Sequence, residues 1–288
     1  LTNVAVVSGG MDSVAMLYHL CDIDPDVKVL SYNYGQKHKK ELDYVQFHVD
    51  RLGGLDWKVI DLTSVTQLLT KSALVGDREV PEGHYESESM KQTVVPNRNM
   101  IMASIAAAAC ISEGGWLLGL GVHAGDHHIY PDCREAFVQS LEATLKIANE
   151  GFIHQQFQLF TPWLHVPKQT IVLNGLRYGI DFSKTWSCYK GGELHCGKCG
   201  TCVERKEAFF LAQQPDPTEY EGTGVGGHYA REGGLSCTFE EALDYAKSYT
   251  RKNPGVYPPS GIYADLNPAR YPIVNPEEIA FEPSRETF

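Results

Sequence analysis

The stretch VVSGGMDSVAM, residues 6–16, ends an apolar run in a glycine turn that carries two hydroxyls and one acid. Val7, Ser8, Gly9, Gly10, Met11, Asp12, Ser13 and Val14 stand where a strand over Val4 to Val7 hands over to a helix starting near Asp12. Such a turn suits an anion. Glycines let the backbone come close, and the first N–H groups of the helix point at the ligand. Ser8 and Ser13 can add hydroxyl donors. The spacing and lysine of G-x-x-x-x-G-K-[ST] are missing, as is the G-x-G-x-x-G of dinucleotide folds, so the grip falls to backbone and hydroxyls. Asp12 could help hold Mg²⁺ or cap the helix that follows. A tight turn that uses its glycines for geometry alone is the plainer alternative.

A second group is the segment SCYKGGELHCGKCGTCVER, with Cys188, Cys196, Cys199 and Cys202 crowded together while Cys21, Cys110, Cys133 and Cys237 are scattered. Thiolates two residues apart can reach one metal across a tight turn, and Gly197 and Gly200 ease that turn. Four such ligands make a closed, tetrahedral, structural Zn²⁺ site. His195 could stand in for Cys188, although its adjacency to Cys196 makes that awkward, and an iron–sulfur cluster is the competing reading.

The elements that must position these groups alternate. Strands are expected at 4–7, 27–34, 57–62, 116–122 and 157–162. Helices are expected from Asp12, over 39–52, as a buried alanine-rich helix over 97–111, over 134–149, and opening at Pro167. This order predicts a doubly wound, Rossmann-like α/β fold: a five-stranded parallel sheet with helices on both faces, plus a small four-cysteine zinc segment and a C-terminal extension. The polar stretch 74–95 reads as a flap. The expected divisions are 1–184 for the α/β domain, 185–220 for the zinc segment and its helix, and 221–288 for the extension. Seven of the fifteen prolines fall in that extension, where only Thr238 to Arg251 looks helical. With Tyr257, Tyr263 and Tyr271 spaced along it, the extension reads as a strap over folded surface.

Composition narrows the partners. A formal charge of −11 weighs against broad nucleic-acid binding, which needs cationic surface, and points to a small-molecule substrate. No apolar run reaches the roughly 18 residues of a membrane span, and no basic-then-apolar leader precedes the first strand. A cytoplasmic protein is expected.

SGGMDS after a first parallel strand resembles the pyrophosphate-binding loop of the N-type ATP pyrophosphatases, the PP-loop or HUP-type superfamily. YNYGQKHKKE (32–41), VPNRN (95–99), YPDCR (130–134), TWSCY (185–189), CGKCGTC (196–202) and DPTEY (216–220) sharpen the likeness. In order and in register, they resemble the QueC family of 7-cyano-7-deazaguanine synthases over residues 1 to about 220. The resemblance implies an ATP-dependent ligase forming carbon–nitrogen bonds, which converts 7-carboxy-7-deazaguanine and ammonia to the nitrile. That product is a precursor of queuosine-type nucleosides. Attack of the carboxylate on the α-phosphate would give an acyl-adenylate. Ammonia would displace AMP, and a second adenylation on the amide oxygen would leave the nitrile.

The resemblance also implies site residues. The loop residues 7–14 and Tyr34 would bind ATP. Asp12, Lys168, Arg98 and Arg134 would carry the chemistry, with Lys37 a further candidate cation beside Mg²⁺. Asp132 and Arg134 would read the base and its carboxylate, because an acid matches paired N–H donors and arginine matches a carboxylate bidentately. Asp132 could instead cap the next helix, and Lys168 could merely decorate a first turn. Cys133 reads as packing, and His127 and His128 as loop histidines near a nucleotide. A homodimer is expected. The rival readings are a tRNA-thiolating relative, an enzyme that stops at the amide, and a nucleotide-binding module without chemistry.

Overall fold

The computed structural model describes residues 1–69, 71–123 and 129–226, with backbone only at 229–231 and 235–237 and single positions 240, 241, 244 and 248. Five strands form one parallel sheet: β1 (Thr2–Val6), β2 (Val27–Asn33), β3 (Trp57–Asp61), β4 (Gly114–Gly119) and β5 (Gln158–Phe160). Their spatial order is β3-β2-β1-β4-β5, as a doubly wound fold requires.

The helices are α1 (Met11–Ile23), α2 (Glu41–Arg51), a four-residue α3 (Thr63–Thr66), α4 (Arg98–Ser112), α5 (Glu135–Ala148), α6 (Lys168–Arg177) and α7 (Gly200–Leu211). Strand alternation sorts them onto two faces. Val4, Leu30 and Leu118 pack with Ala103, Ala106 and Ala107 of α4 and Val138 and Leu141 of α5. Their neighbours Ala5, Val29 and Leu117 point the other way, onto Val14 and Leu17 of α1, Val45 of α2, and Ile171 and Val172 of α6. Asn3 bridges an irregularity between β1 and β4, where its buried side-chain oxygen accepts the N–H groups of Trp116 and Leu117 at 3.0 and 2.8 Å.

Several expectations need correction. The alanine-rich helix α4 is buried along one stripe only, with Ser104 and Ala108 exposed, because a helix on one face of a sheet needs a single apolar side. The fourth and fifth strands end early, at Gly119 and Phe160, where the chain turns out to form the crevice. Pro167 is the N-cap of α6, and Lys168 is its first helical residue. The stretch 74–95 forms a loop with a 3₁₀ turn at Glu88–Thr93, fastened to the cysteine segment by a Glu82–Cys199 bridge.

The hairpin β6 (Glu219–Tyr220) and β7 (Gly224–Val225) spans the expected 220/221 division, and an antiparallel pair β8 (Tyr229–Arg231) and β9 (Leu235–Cys237) follows. Tyr257, Tyr263, Tyr271 and the strap lie outside the described residues, as does most of 238–251. Among the described residues no helix is long and apolar enough to cross a membrane.

Candidate active site

Beyond the carboxyl ends of β1, β2 and β4 lies a cavity of about 220 Å³. Its floor is the glycine turn. Gly9 holds φ +95°, and an added Cβ would come within 1.9 Å of the Glu41 carbonyl oxygen, so the turn is pressed against the start of α2. Gly10 is the N-cap of α1 and has no side chain to cap it, which leaves the first-turn N–H groups facing the cavity. The Ser8 and Ser13 hydroxyls meet at 3.2 Å, and Ser13 donates to the Gly10 carbonyl at 3.1 Å, which sets the loop's shape. Val7, Ser8, Gly10, Met11, Asp12, Ser13 and Tyr34 line the cavity; Gly9 and Val14 lie behind it. Asp12 does not cap α1 but stands in its first turn.

One wall is an ion cluster. Lys168 Nζ lies 3.0 Å from Asp12 Oδ2 and 2.7 Å from Glu204 Oε2. His123, fully buried, brings Nε2 to 3.6 Å from Glu204 Oε1. Lys168 is nine-tenths buried, so it is no surface decoration. The other oxygen of Asp12 is buried and has no hydrogen-bond partner among the described residues, an orphaned acceptor suited to a cation.

The opposite wall joins α2, α4 and the 3₁₀ turn Pro131–Cys133. Asp132 accepts the Asn99 N–H at 3.4 Å, while Arg134 is the N-cap of α5; Asp132 therefore does not cap the helix after it. Arg98 lines the cavity beside Tyr34, Tyr189 and Asp132. Burial works against its guanidinium, yet those three neighbours hold its pKa above the ordinary arginine range. Arg134 is exposed and absent from the lining, and exposed Lys37 donates to the Arg78 carbonyl, away from the cavity. Burial pushes the Glu41 carboxyl up to about 8 and His38 down to about 3, so both are neutral near pH 7. Cys133 is buried and receives the Asn99 amide at 3.4 Å. His127 and His128 lie outside the described residues.

Cys188, Cys196, Cys199 and Cys202 are all buried, and their sulfurs lie within 4.8 Å of one another. The Cys199 N–H points at Cys196 Sγ at 3.3 Å, and the Cys196 N–H at Cys188 Sγ at 3.4 Å. Those donors favour thiolates, and the donor set fits one metal ion. His195 is not a ligand: it accepts the Ser187 N–H at 3.0 Å and packs on Trp186. Helix α7 starts at this cluster. Cys202 faces the metal position, Glu204 faces the cavity, and Arg205 is fully buried, donating to Thr185 and the Phe182 carbonyl.

Sequence reasoning misses Glu204, His123 and Glu41 as site residues. The one signal for Glu204 is a run of charge (Glu204, Arg205, Lys206 and Glu207) in a helix that ends on the apolar stretch Ala208–Leu211.

The family model described as queuosine biosynthesis protein QueC matches residues 2–213. A 7-cyano-7-deazaguanine synthase of Marinomonas sp. is 49% identical over 218 residues, 76% of this chain and 97% of its own length. One from Paracoccus denitrificans is 48% identical over 221 residues, 77% and 94% of the two chains. Among solved structures, an NH3-dependent NAD synthetase from Campylobacter jejuni aligns over 62% of this chain and 75% of its own, at 18% identity. The TM-score of that alignment is 0.31.

Proposed function

The chain belongs to the QueC family, and from that premise we propose that its cavity makes 7-cyano-7-deazaguanine from 7-carboxy-7-deazaguanine, ammonia and ATP. The supporting observation is the meeting, in one crevice, of an uncapped helix N-terminus, a buried lysine between two carboxylates, and an arginine beside an acid. The first supplies a place for the β- and γ-phosphates. The second stands where charge builds on the α-phosphate. The third fits the acid and the base of the second substrate.

The carboxylate is a poor acyl donor, so its oxygen must become a leaving group. Its attack on the α-phosphate yields an acyl-adenylate and pyrophosphate, and ammonia then displaces AMP to give the amide. A second ATP adenylates the amide oxygen, and loss of AMP leaves the nitrile. The protein's share is positioning and charge. Lys168, fixed by Asp12 and Glu204, offers its ammonium to the α-phosphate oxygens. Mg²⁺, for which Asp12 offers its unpartnered oxygen, would add phosphate charge neutralisation when bound.

For the second substrate, Asp132 pairs with the N–H donors of the deazaguanine. Arg98 takes over the carboxylate-reading role expected of Arg134, because only Arg98 lines the cavity. The cysteine site holds Zn²⁺ in this reading, since the close sulfur spacing suits a single tetrahedral ion better than a multi-iron cluster. It is structural and fixes the start of α7. A cytoplasmic setting, in keeping with four cysteines gathered at one metal position, and a homodimer belong to the same proposal.

The deciding experiment incubates the full chain with ATP, Mg²⁺, ammonia and the carboxylate labelled with ¹⁸O. Two AMP per nitrile, each carrying one label, is the expected result. Unlabelled AMP would overturn the adenylation route, and persistence of the amide after ATP is replenished would overturn the nitrile.

A further inference from the structure

The reaction just proposed needs a nitrogen nucleophile, and ammonium must give up a proton to become one. Behind the Lys168–Glu204 pair lies a second, smaller cavity of about 20 Å³, room for one molecule of water's size. Tyr85, Pro167, Gln169, Leu211 and Glu207 line it, and it shares Lys168 and Glu204 with the main cavity. That ion pair, 2.7 Å long, is therefore the partition between the two.

Glu207 is the unexplained group there. It stands one turn beyond Glu204 on α7 and is only 4% exposed, and its Oε1 has no hydrogen-bond partner among the described residues. A buried, unpaired carboxylate oxygen is costly unless something arrives to pair with it. Glu204, already paired with the Lys168 ammonium that lines the same cavity, and Glu86 add negative charge nearby, which favours a hydrogen-bond donor or a cation as the missing partner.

We propose that Glu207 and this small cavity form a binding site for ammonium, where the nitrogen donor waits before it crosses to the main cavity. The assignment rests on the ligase reading above. Ammonium has the size of the space, and it carries donors in every direction. One N–H bond then breaks with its electron pair left on nitrogen, and the proton passes to Glu207 Oε1. The products are ammonia, with a lone pair for attack on the acyl-adenylate, and the carboxylic acid. Burial pushes the Glu207 carboxyl up to about 8, tempered by a hydrogen bond from Tyr85, so the carboxylate that takes this proton is present from about pH 8 upward and holds it more firmly than an ordinary carboxylate would.

The test is steady-state kinetics of the full chain at about pH 8.5, where Glu207 is ionised, with ammonium chloride varied at saturating ATP and carboxylate. Glu207→Gln keeps the shape and removes the charge. It is expected to raise KM for ammonium about tenfold, the factor set by loss of one charge-assisted hydrogen bond, with a smaller change in kcat and in KM for ATP. An unchanged KM for ammonium would overturn the site. A second readout is thermal: ammonium chloride should raise the melting temperature of the wild type above equal sodium chloride, saturably, and should not do so in the variant. If the variant does not fold, a wild type without that ammonium-specific rise overturns the proposal. Pyrophosphate release by the wild type with the carboxylate but no ammonium tests the ligase reading by itself, so the two failures are told apart.

Discussion

Lys168, the first residue of α6, and Glu204, the fifth residue of α7, meet at 2.7 Å although they lie 36 residues apart in the chain. Glu204 reaches that position because α7 is anchored at its start by the four cysteines, and Lys168 in turn holds Asp12 at 3.0 Å. The metal segment and the glycine turn are thus joined through one ammonium group.

Lys168→Met should suppress pyrophosphate release by a factor of about 100 or more, the usual cost of one preorganised charge at a reacting centre. It also removes the ammonium partner of buried Glu204, leaving it only His123 at 3.6 Å, so urea unfolding should show a loss of about 3 kcal/mol. Near-wild-type release would remove Lys168 from the chemistry.

Arg98→Ala should raise KM for the carboxylate substrate by roughly 10- to 100-fold, from the loss of a charge-assisted pair. Arg134→Ala, at an exposed position outside the lining, should change it by less than about threefold. The reverse order would restore the role that the sequence pattern gave to Arg134.

The pH dependence of stability should carry Glu41's mark. Its folded pKa, about 8, lies above the ordinary carboxyl value of 4.5, so the folded state keeps a proton that the unfolded chain gives up. No penalty exists below pH 4.5; between there and pH 8 stability falls as pH rises. Glu41→Gln should abolish that fall. Relative to wild type, the variant should gain on the order of 5 kcal/mol of stability between the acid and alkaline ends of this window. His38, pushed down to about 3, acts in the opposite sense: its contribution is present above pH 6.5 and is lost as pH drops toward 3. Parallel stability profiles for wild type and the Glu41→Gln variant would show that Glu41 is not held neutral.

Metal analysis should find one zinc per chain and a colourless protein. Cys202→Ser should lose the metal, and pyrophosphate release should fall with it, because Glu204 lies two residues further along α7. Full activity in a metal-free variant would uncouple the two sites. A brown protein would point to an iron–sulfur cluster.

Gly9→Ala should cost about 2 kcal/mol or more in urea unfolding, since φ +95° and the Glu41 carbonyl both exclude a Cβ. An unchanged midpoint would mean that the turn relaxes freely.

Much of this protein was legible in its residues. The strand-to-helix glycine turn, the five alternating strands and the cysteine spacing are local patterns. They are set by backbone freedom, by periodicity and by the reach of two thiolates across a turn, and none of these needs a distant partner. The sheet order followed because parallel strands joined by helices leave few ways to wind. What sequence spacing did not reveal was which charges meet. The carboxylate-reading role fell to Arg134 in the sequence, with Arg98 only a candidate cation, until the fold turned Arg98 toward the crevice and left Arg134 at the N-cap of α5, on the surface. Glu204, His123 and Glu207 look like ordinary polar residues along the chain, and only packing buries them and strips them of water. Burial and pairing across α6 and α7 are properties of the tertiary structure, because desolvation depends on what else occupies the surrounding space.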